Sequence, residues 1–234
     1  MAGAARKLSQ YMPVIEPFQT AKTIEEQVEE LKNVLEKNTL LPVTLVGFSW
    51  GGWLSLIFAS EYPEFIKRLV FISSAPFEQK YAEKIMQTRL SRLDEEEKSQ
   101  VISLIKALDN PGTENKNQLF AELGRILSKA DAYDPIKDSA DEITYRYDIF
   151  QSIWSEAEQM RKSGELLKLA ATIQCPVTAI HGDYDPHPAE GVQKPLSQHI
   201  KKFKFILLPN CGHKPWLEKQ AKEHFYSIIK KELV

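Results

Sequence analysis

Cysteine is scarce in this chain: Cys175 and Cys211 are the only two among 234 residues. Two are too few for a disulfide framework, and their spacing is not that of a zinc site. An excess of either charge is missing as well, with 30 basic residues against 32 acidic ones and a formal net charge of −2. Without a basic surplus or a long basic run, the chain has no electrostatic footprint for nucleic acid. Long apolar runs are absent too. The longest, such as Leu56–Ala59 and Leu69–Ile72, span four residues, whereas a membrane-crossing helix needs about 20. The opening MAGAARKLSQ leads into no apolar stretch of the kind a secretion signal carries. Internal repeats and low-complexity tracts are likewise lacking. The expectation is a soluble, cytoplasmic protein.

What is present is the material for a core. Hydrophobic residues make up 43% of the chain, and its length suits one domain, alone or with an insertion. Val43–Val46, Leu69–Ser73 and Val177–His181 are compact β-branched or apolar runs bounded by turn residues, the pattern of parallel strands covered on both faces. Lys204–Leu208 is a fourth such run, and Pro13–Ile15 a shorter fifth. Helical patterns lie between them. Thr23–Asn38 carries Ile24, Val28, Leu31, Val34 and Leu35 on one stripe, with Thr23 and Glu26 spaced as a capping box. Pro215–Lys231 places Leu217, Ala221, Phe225, Ile228 and Ile229 on another. This alternation predicts an α/β fold with a doubly wound, mostly parallel sheet.

Residues 78–174 break the alternation. They show helical periodicity and many charges but no strand. Leu90, Leu93, Val101, Leu104, Ile105 and Leu108 predict two helices divided near Asp94, and Asp94-Glu95-Glu96-Glu97 suits the cap and first turn of the second. Leu119–Lys129 predicts a third helix. Phe150, Ile153, Trp154 and Met160 predict a fourth, ending near Gly164. The expected organisation is a sheet core formed by residues 1–77 and 175–234, with residues 78–174 inserted as a helical lid.

Gly47-Phe48-Ser49-Trp50-Gly51 stands directly after the first of these strands and before an apolar helix. G-x-S-x-G in that context is a sharp turn that lifts a serine hydroxyl above a sheet. Serine is a weak nucleophile and needs a base within hydrogen-bond reach. His213, in Asn210-Cys211-Gly212-His213-Lys214-Pro215-Trp216, follows the fourth strand and is the candidate base. Asp185, in His181-Gly182-Asp183-Tyr184-Asp185-Pro186, follows the third strand and is the candidate acid, with Asp183 its rival. All three candidates stand just past strand carboxyl ends, where open α/β sheets place their sites.

Through these motifs the chain resembles the α/β-hydrolase family from about Tyr11 onward. The resemblance implies Ser49 as nucleophile, His213 as general base and acid, and Asp185, in the Gly-x-x-Asp pattern, as the group that orients the imidazole. It also implies the backbone N–H of Trp50 as one oxyanion donor, and a lid where the helical block lies. The loop that supplies the second donor follows an earlier strand, often marked by His-Gly, and neither occurs before Pro13. By this resemblance the first strands are missing from the chain, including a central one.

The activity implied is hydrolysis of a small ester, with no metal or organic cofactor and a small molecule as the partner. Ser-Trp-Gly also occurs at the elbow of proline iminopeptidase-like hydrolases, so an aminopeptidase is the alternative enzyme. A ligand-binding or inactive protein of the hydrolase fold is the alternative of another class. Tyr145, Tyr147, Phe150 and Trp154 are aromatic candidates for a pocket under the lid, with Phe150 and Trp154 taken as substrate-binding beside Trp50. His187 reads as a surface-loop histidine, His181 as a satisfied structural one, and Cys211 as a small buried residue. Oligomeric state is not legible.

Overall fold

The computed structural model describes residues 1–136 and 145–233. The first helix, α1 (Ala2–Leu8), is followed by coil, and then by α2 (Ile24–Asn38). Thr23 caps α2, its hydroxyl accepting the Glu26 N–H at 3.2 Å. Next come β1 (Val43–Phe48), α3 (Trp50–Glu61) and β2 (Ile66–Ile72). Between β2 and the third strand the described residues form six helices: α4 (Gln79–Ala82), α5 (Ile85–Ser91), α6 (Glu95–Asp109), α7 (Lys116–Ala130), α8 (Tyr147–Ser163) and α9 (Glu165–Ala170). The chain closes with β3 (Val177–Gly182), α10 (Glu190–His199), β4 (Phe203–Leu208) and α11 (Lys222–Leu233). None of the described helices is long and apolar enough to cross a membrane.

The four strands form one parallel sheet in the order β1-β2-β3-β4. Side chains alternate across a strand, and that alternation sorts the core into two layers. On one face Leu45, Leu69, Phe71, Val177 and Ala179 pack with residues of α2, α3, α8, α9 and α10. On the other Val46, Val70, Ile72, Ile180 and Leu208 pack with Ala4 and Leu8 of α1 and with Phe225 and Ile229 of α11. Every residue of β3 is buried, while the edge strands β1 and β4 are mostly half-buried. The doubly wound α/β architecture is thus what the hydrophobic alternation anticipates.

Two expectations fail in detail. Pro13–Ile15 forms no strand; the segment is coil, and no described strand pairs with the outer edge of β1. A strand exists only through its neighbour's hydrogen bonds, so a three-residue apolar pattern cannot make one alone. The C-terminal stripe is not one helix from Pro215 either. It begins as a 3-10 turn at Pro215–Leu217 and becomes α11 only at Lys222.

In the helical block, Asp94 and Glu97 close a reciprocal capping box at the start of α6, and Gly164 ends α8 in the left-handed conformation at φ 77°. α5, α6 and α7 contribute to a core of their own, built on Val101, Leu104, Leu108, Leu123 and Ile126. By contrast Ile153 and Ala157 of α8 and Leu166 and Ala170 of α9 belong to the core of the sheet.

Candidate active site

One residue, Ser49, separates the end of β1 from the start of α3. It makes that turn alone, at φ 52° and ψ −118°. A non-glycine residue held there costs on the order of 1–3 kcal/mol, and Ser49 is anchored by its N–H donating to Ile72 O at 3.0 Å. The turn also requires glycine at position 47, where a Cβ would stand 2.1 Å from the carbonyl oxygen of Gly51. The outcome is a half-buried serine whose hydroxyl bonds to no described residue. The N–H of Trp50 opens α3 and has no backbone acceptor among the described residues, as expected for the first turn of a helix.

The loops after β3 and β4 are laced together. Asp183 N–H donates to Leu208 O at 3.0 Å and Tyr184 N–H to Cys211 O at 2.9 Å. The approach is so close at Gly182 that a Cβ there would lie 2.2 Å from Cys211 O. The Asp183 side chain completes the lacing by accepting Cys211 N–H at 3.1 Å. The Asp185 side chain instead meets His213, with Nδ1 2.7 Å from Oδ2. Of the two rival acids, the structure brings Asp185 to the imidazole.

His213 also reaches back across the sheet. Its ring centroid lies 4.8 Å from that of Phe48, the last residue of β1 and the neighbour of Ser49. Phe48 packs edge-on against Trp216 from the same loop. The three candidates therefore gather at the carboxyl end of the sheet. Two segments hold this loop from outside. Asp131 O accepts the His213 N–H at 2.8 Å, and Asp131 is in turn gripped by two 2.7 Å bonds from Arg89 on α5. The buried Glu218 carboxylate accepts the N–H groups of Gly212, Tyr133 and Asp134 at 2.8–2.9 Å. Arg89, Asp131 and Glu218 carry no sequence signal, because their partners are backbone groups or residues far along the chain.

His187 is not on the surface. It is buried, and its Nδ1 lies 2.8 Å from Asp185 Oδ1, which also accepts the His187 N–H at 2.9 Å. One sequence signal could have found it, since an aspartate accepting the N–H two residues on is an Asx turn. His181 is buried too. Its Nε2 stands 2.8 Å from His187 O and 3.5 Å from Asp185 Oδ2, but its Nδ1 has no partner among the described residues, so this histidine is only half satisfied there.

Burial alone would raise the Asp185 carboxyl. The three imidazoles, His213 first, and the His187 hydrogen bond outweigh burial and hold the group well below the usual carboxylate range. Burial pushes His187 and His181 the other way from a free imidazole, downward, against the pull of Asp185. An ionised carboxylate only accepts hydrogen bonds, so both rings facing Asp185 carry their proton on Nδ1 and leave Nε2 basic. Asp185, His187 and His213 are also grouped closely enough to ligate a metal, with ligand atoms within 4.8 Å of one another. Those atoms already serve one another as N–H donors and carboxylate acceptors.

The aromatic candidates divide. The Trp50 indole turns away to α2, donating to Gln27 Oε1 at 3.2 Å and meeting Trp53 edge-on. Its backbone, rather than its ring, remains at the elbow. Trp154 stacks on Trp53 at 5.8 Å and on Phe150 at 6.1 Å, with Phe150 at the exposed end of the stack. Tyr145 and Tyr147 lie against Phe120. Cys211 is fully buried, and burial pushes its thiol far up, which makes it an inert filler.

The fold and this constellation have counterparts among known proteins. The alpha/beta hydrolase fold family matches residues 9–220, and the chain belongs to that family. It is 23% identical over 209 residues to a proline iminopeptidase of Lactobacillus delbrueckii subsp. lactis, which covers 87% of this chain and 70% of that one. It is 20% identical over 202 residues to a pimeloyl-[acyl-carrier protein] methyl ester esterase of Nitrosomonas europaea, covering 82% of this chain and 72% of the esterase. Among solved structures, an alpha/beta fold family hydrolase from Bacillus anthracis str. Sterne superposes with a TM-score of 0.65 at 15% identity. That match covers 90% of this chain and 74% of the other.

Proposed function

We propose that this protein is a serine hydrolase that cleaves a small ester through Ser49, His213 and Asp185. The observation that carries the reading is the 2.7 Å contact between Asp185 Oδ2 and His213 Nδ1, made by a ring seated on Phe48 beside the elbow. Asp185 holds the tautomer that leaves His213 Nε2 basic. Nε2 takes the Ser49 proton as Oγ attacks the ester carbonyl carbon. The carbonyl oxygen becomes an oxyanion, which the Trp50 N–H is free to receive; losing one such donor typically lowers the rate by about 100–1,000-fold. Collapse breaks the ester C–O bond, and His213 returns the proton to the departing alcohol. Water then repeats the cycle on the acyl-enzyme. In this reading residues 78–174 act as a lid, and the Trp154–Phe150 stack offers an apolar wall to the acyl group.

The aminopeptidase alternative draws on the relative named a proline iminopeptidase. Such an enzyme needs a carboxylate free to receive a substrate ammonium group. The acids held to the His213 loop are not free: Asp131 is matched by Arg89 and Glu218 by three backbone N–H groups. The first test is intact mass after a fluorophosphonate, with Ser49→Ala as control. One adduct, absent in the variant, supports an activated serine; an unlabelled but folded protein means an inactive or binding role. Turnover of nitrophenyl esters against proline arylamides then separates the two enzyme readings.

A further inference from the structure

The proposed reaction needs one histidine on Asp185, and the structure supplies two. Oδ2 receives Nδ1 of His213 at 2.7 Å, while Oδ1 receives both the backbone N–H and Nδ1 of His187 at 2.9 and 2.8 Å. The backbone N–H alone would close the turn, so the imidazole is an additional grip on the carboxylate. His187 is itself fixed, because its carbonyl accepts Nε2 of His181 at 2.8 Å. The rings of His187 and His213 lie 4.7 Å apart by centroid, tilted by 32°.

We propose that His187 is a positioning residue of this site: it locks Oδ1 of Asp185 so that Oδ2 addresses His213, and it competes with His213 for that single negative charge. The inference rests on the serine-hydrolase reading and deepens it. The two rings face one carboxylate only 4.7 Å apart by centroid, so a positive charge on one opposes a positive charge on the other. A neutral His187 tolerates the imidazolium that His213 becomes during attack; a protonated His187 opposes it.

The charged and titratable groups around His187 come from three directions. Asp185 and His181 belong to β3 and its loop, and His213 to the loop after β4. Arg89 approaches from α5, its charge matched by Asp131. Burial holds the His187 imidazolium down and Asp185 holds it up. The protein therefore works with His187 neutral at and above neutral pH and loses activity as His187 takes up a proton.

The test is the pH profile of kcat/KM on a nitrophenyl ester for wild type, His187→Asn and His187→Phe. Asparagine can still donate to Oδ1 but cannot take a proton; phenylalanine fills the space and does neither. His187→Asn is expected to stay within about 5-fold of wild type at pH 8. Its acid limb should lose the protonation that His187 contributes in wild type and become a single one. His187→Phe is expected to lose 10- to 100-fold in kcat with little change in KM, as loosened second-layer partners of reactive groups do.

A readout independent of turnover is the proton NMR of the imidazole N–H groups. Wild type should show two strongly downfield signals, one per ring on Asp185; His187→Asn should lose one and displace the other. Wild-type pH profiles and undisturbed His213 signals in both variants, with stability alone reduced, would overturn the proposal. If wild type neither turns over ester nor labels at Ser49, the hydrolase reading fails. The two N–H signals then still decide whether His187 holds Asp185.

Discussion

Two buried carboxylates, one toward each end of the sheet, are held in contrasting ways. Glu232, near the end of α11, receives Arg68 of β2 at 2.8 Å, Thr178 of β3 at 2.9 Å and Lys204 of β4 at 2.6 Å. These partners stand in the amino-terminal halves of their strands. Asp185, past the carboxyl end of β3, receives only imidazoles and a backbone N–H. Arg and Lys keep their charge at every working pH, and Arg68 and Lys204 leave part of their side chains in water. Imidazoles change charge near neutrality, and those around Asp185 are 10% exposed or less. The first arrangement clamps a helix to three strands. The second can pass a proton.

That contrast can be broken from either side. The largest effect expected is from Ser49→Ala, with a loss of esterase activity of about 10^5-fold or more and little change in the unfolding midpoint. Asp185→Asn should follow, with a loss of about 10^4-fold in kcat in a protein that still folds. Asp183→Asn should cost less than about 10-fold, because an amide oxygen still accepts the Cys211 N–H; the reverse order would make Asp183 the acid. Glu232→Ala acts on the other pole. It should lower stability by about 1–3 kcal/mol, measured by urea unfolding, and leave kcat per folded molecule unchanged.

The smallest effect, and the sharpest comparison, is in the pH dependence of stability. His181 and His187 have folded-state affinities for protons below the unfolded value of about 6.5. Their contribution is complete above that pH and is lost as pH falls below it, while the unfolded chain binds the protons first. The Glu232 and Asp185 carboxyls are also depressed, so their contribution is lost only below about 4.5. Urea unfolding from pH 8 to about 3 should therefore show two successive declines. His187→Asn should shallow the first, and Glu232→Ala the second. One decline, unaffected by His187→Asn, would remove the distinction between the two sites.

Much of this was legible because it is local. Thr23 and Asp94 act as caps through neighbours three residues away, and Gly164 ends α8 through its own backbone. The four strands declared themselves by short apolar runs, and Ser49 by the elbow pattern around it, in which Gly47 leaves no room for a Cβ. The same locality explains the misses. Pro13–Ile15 has the residues of a strand but no partner to pair with. For His187 the one local hint is its place two residues after Asp185, the spacing of an Asx turn, and Trp50 gives no hint that its ring turns to Gln27.

The sequence by itself determined the α/β alternation, the elbow and the order Ser49, Asp185, His213, because periodicity and turn chemistry act over a few residues. Only the tertiary structure decided that the Asp185 carboxylate reaches His213 while that of Asp183 is taken up by the Cys211 N–H, and that Asp131, Arg89 and Glu218 brace the loop. Those choices depend on how segments tens of residues apart are laced across the carboxyl end of the sheet. There a displacement of one residue exchanges Asp183 for Tyr184, and of two for Asp185, so the register of the lacing sets which side chain faces the ring.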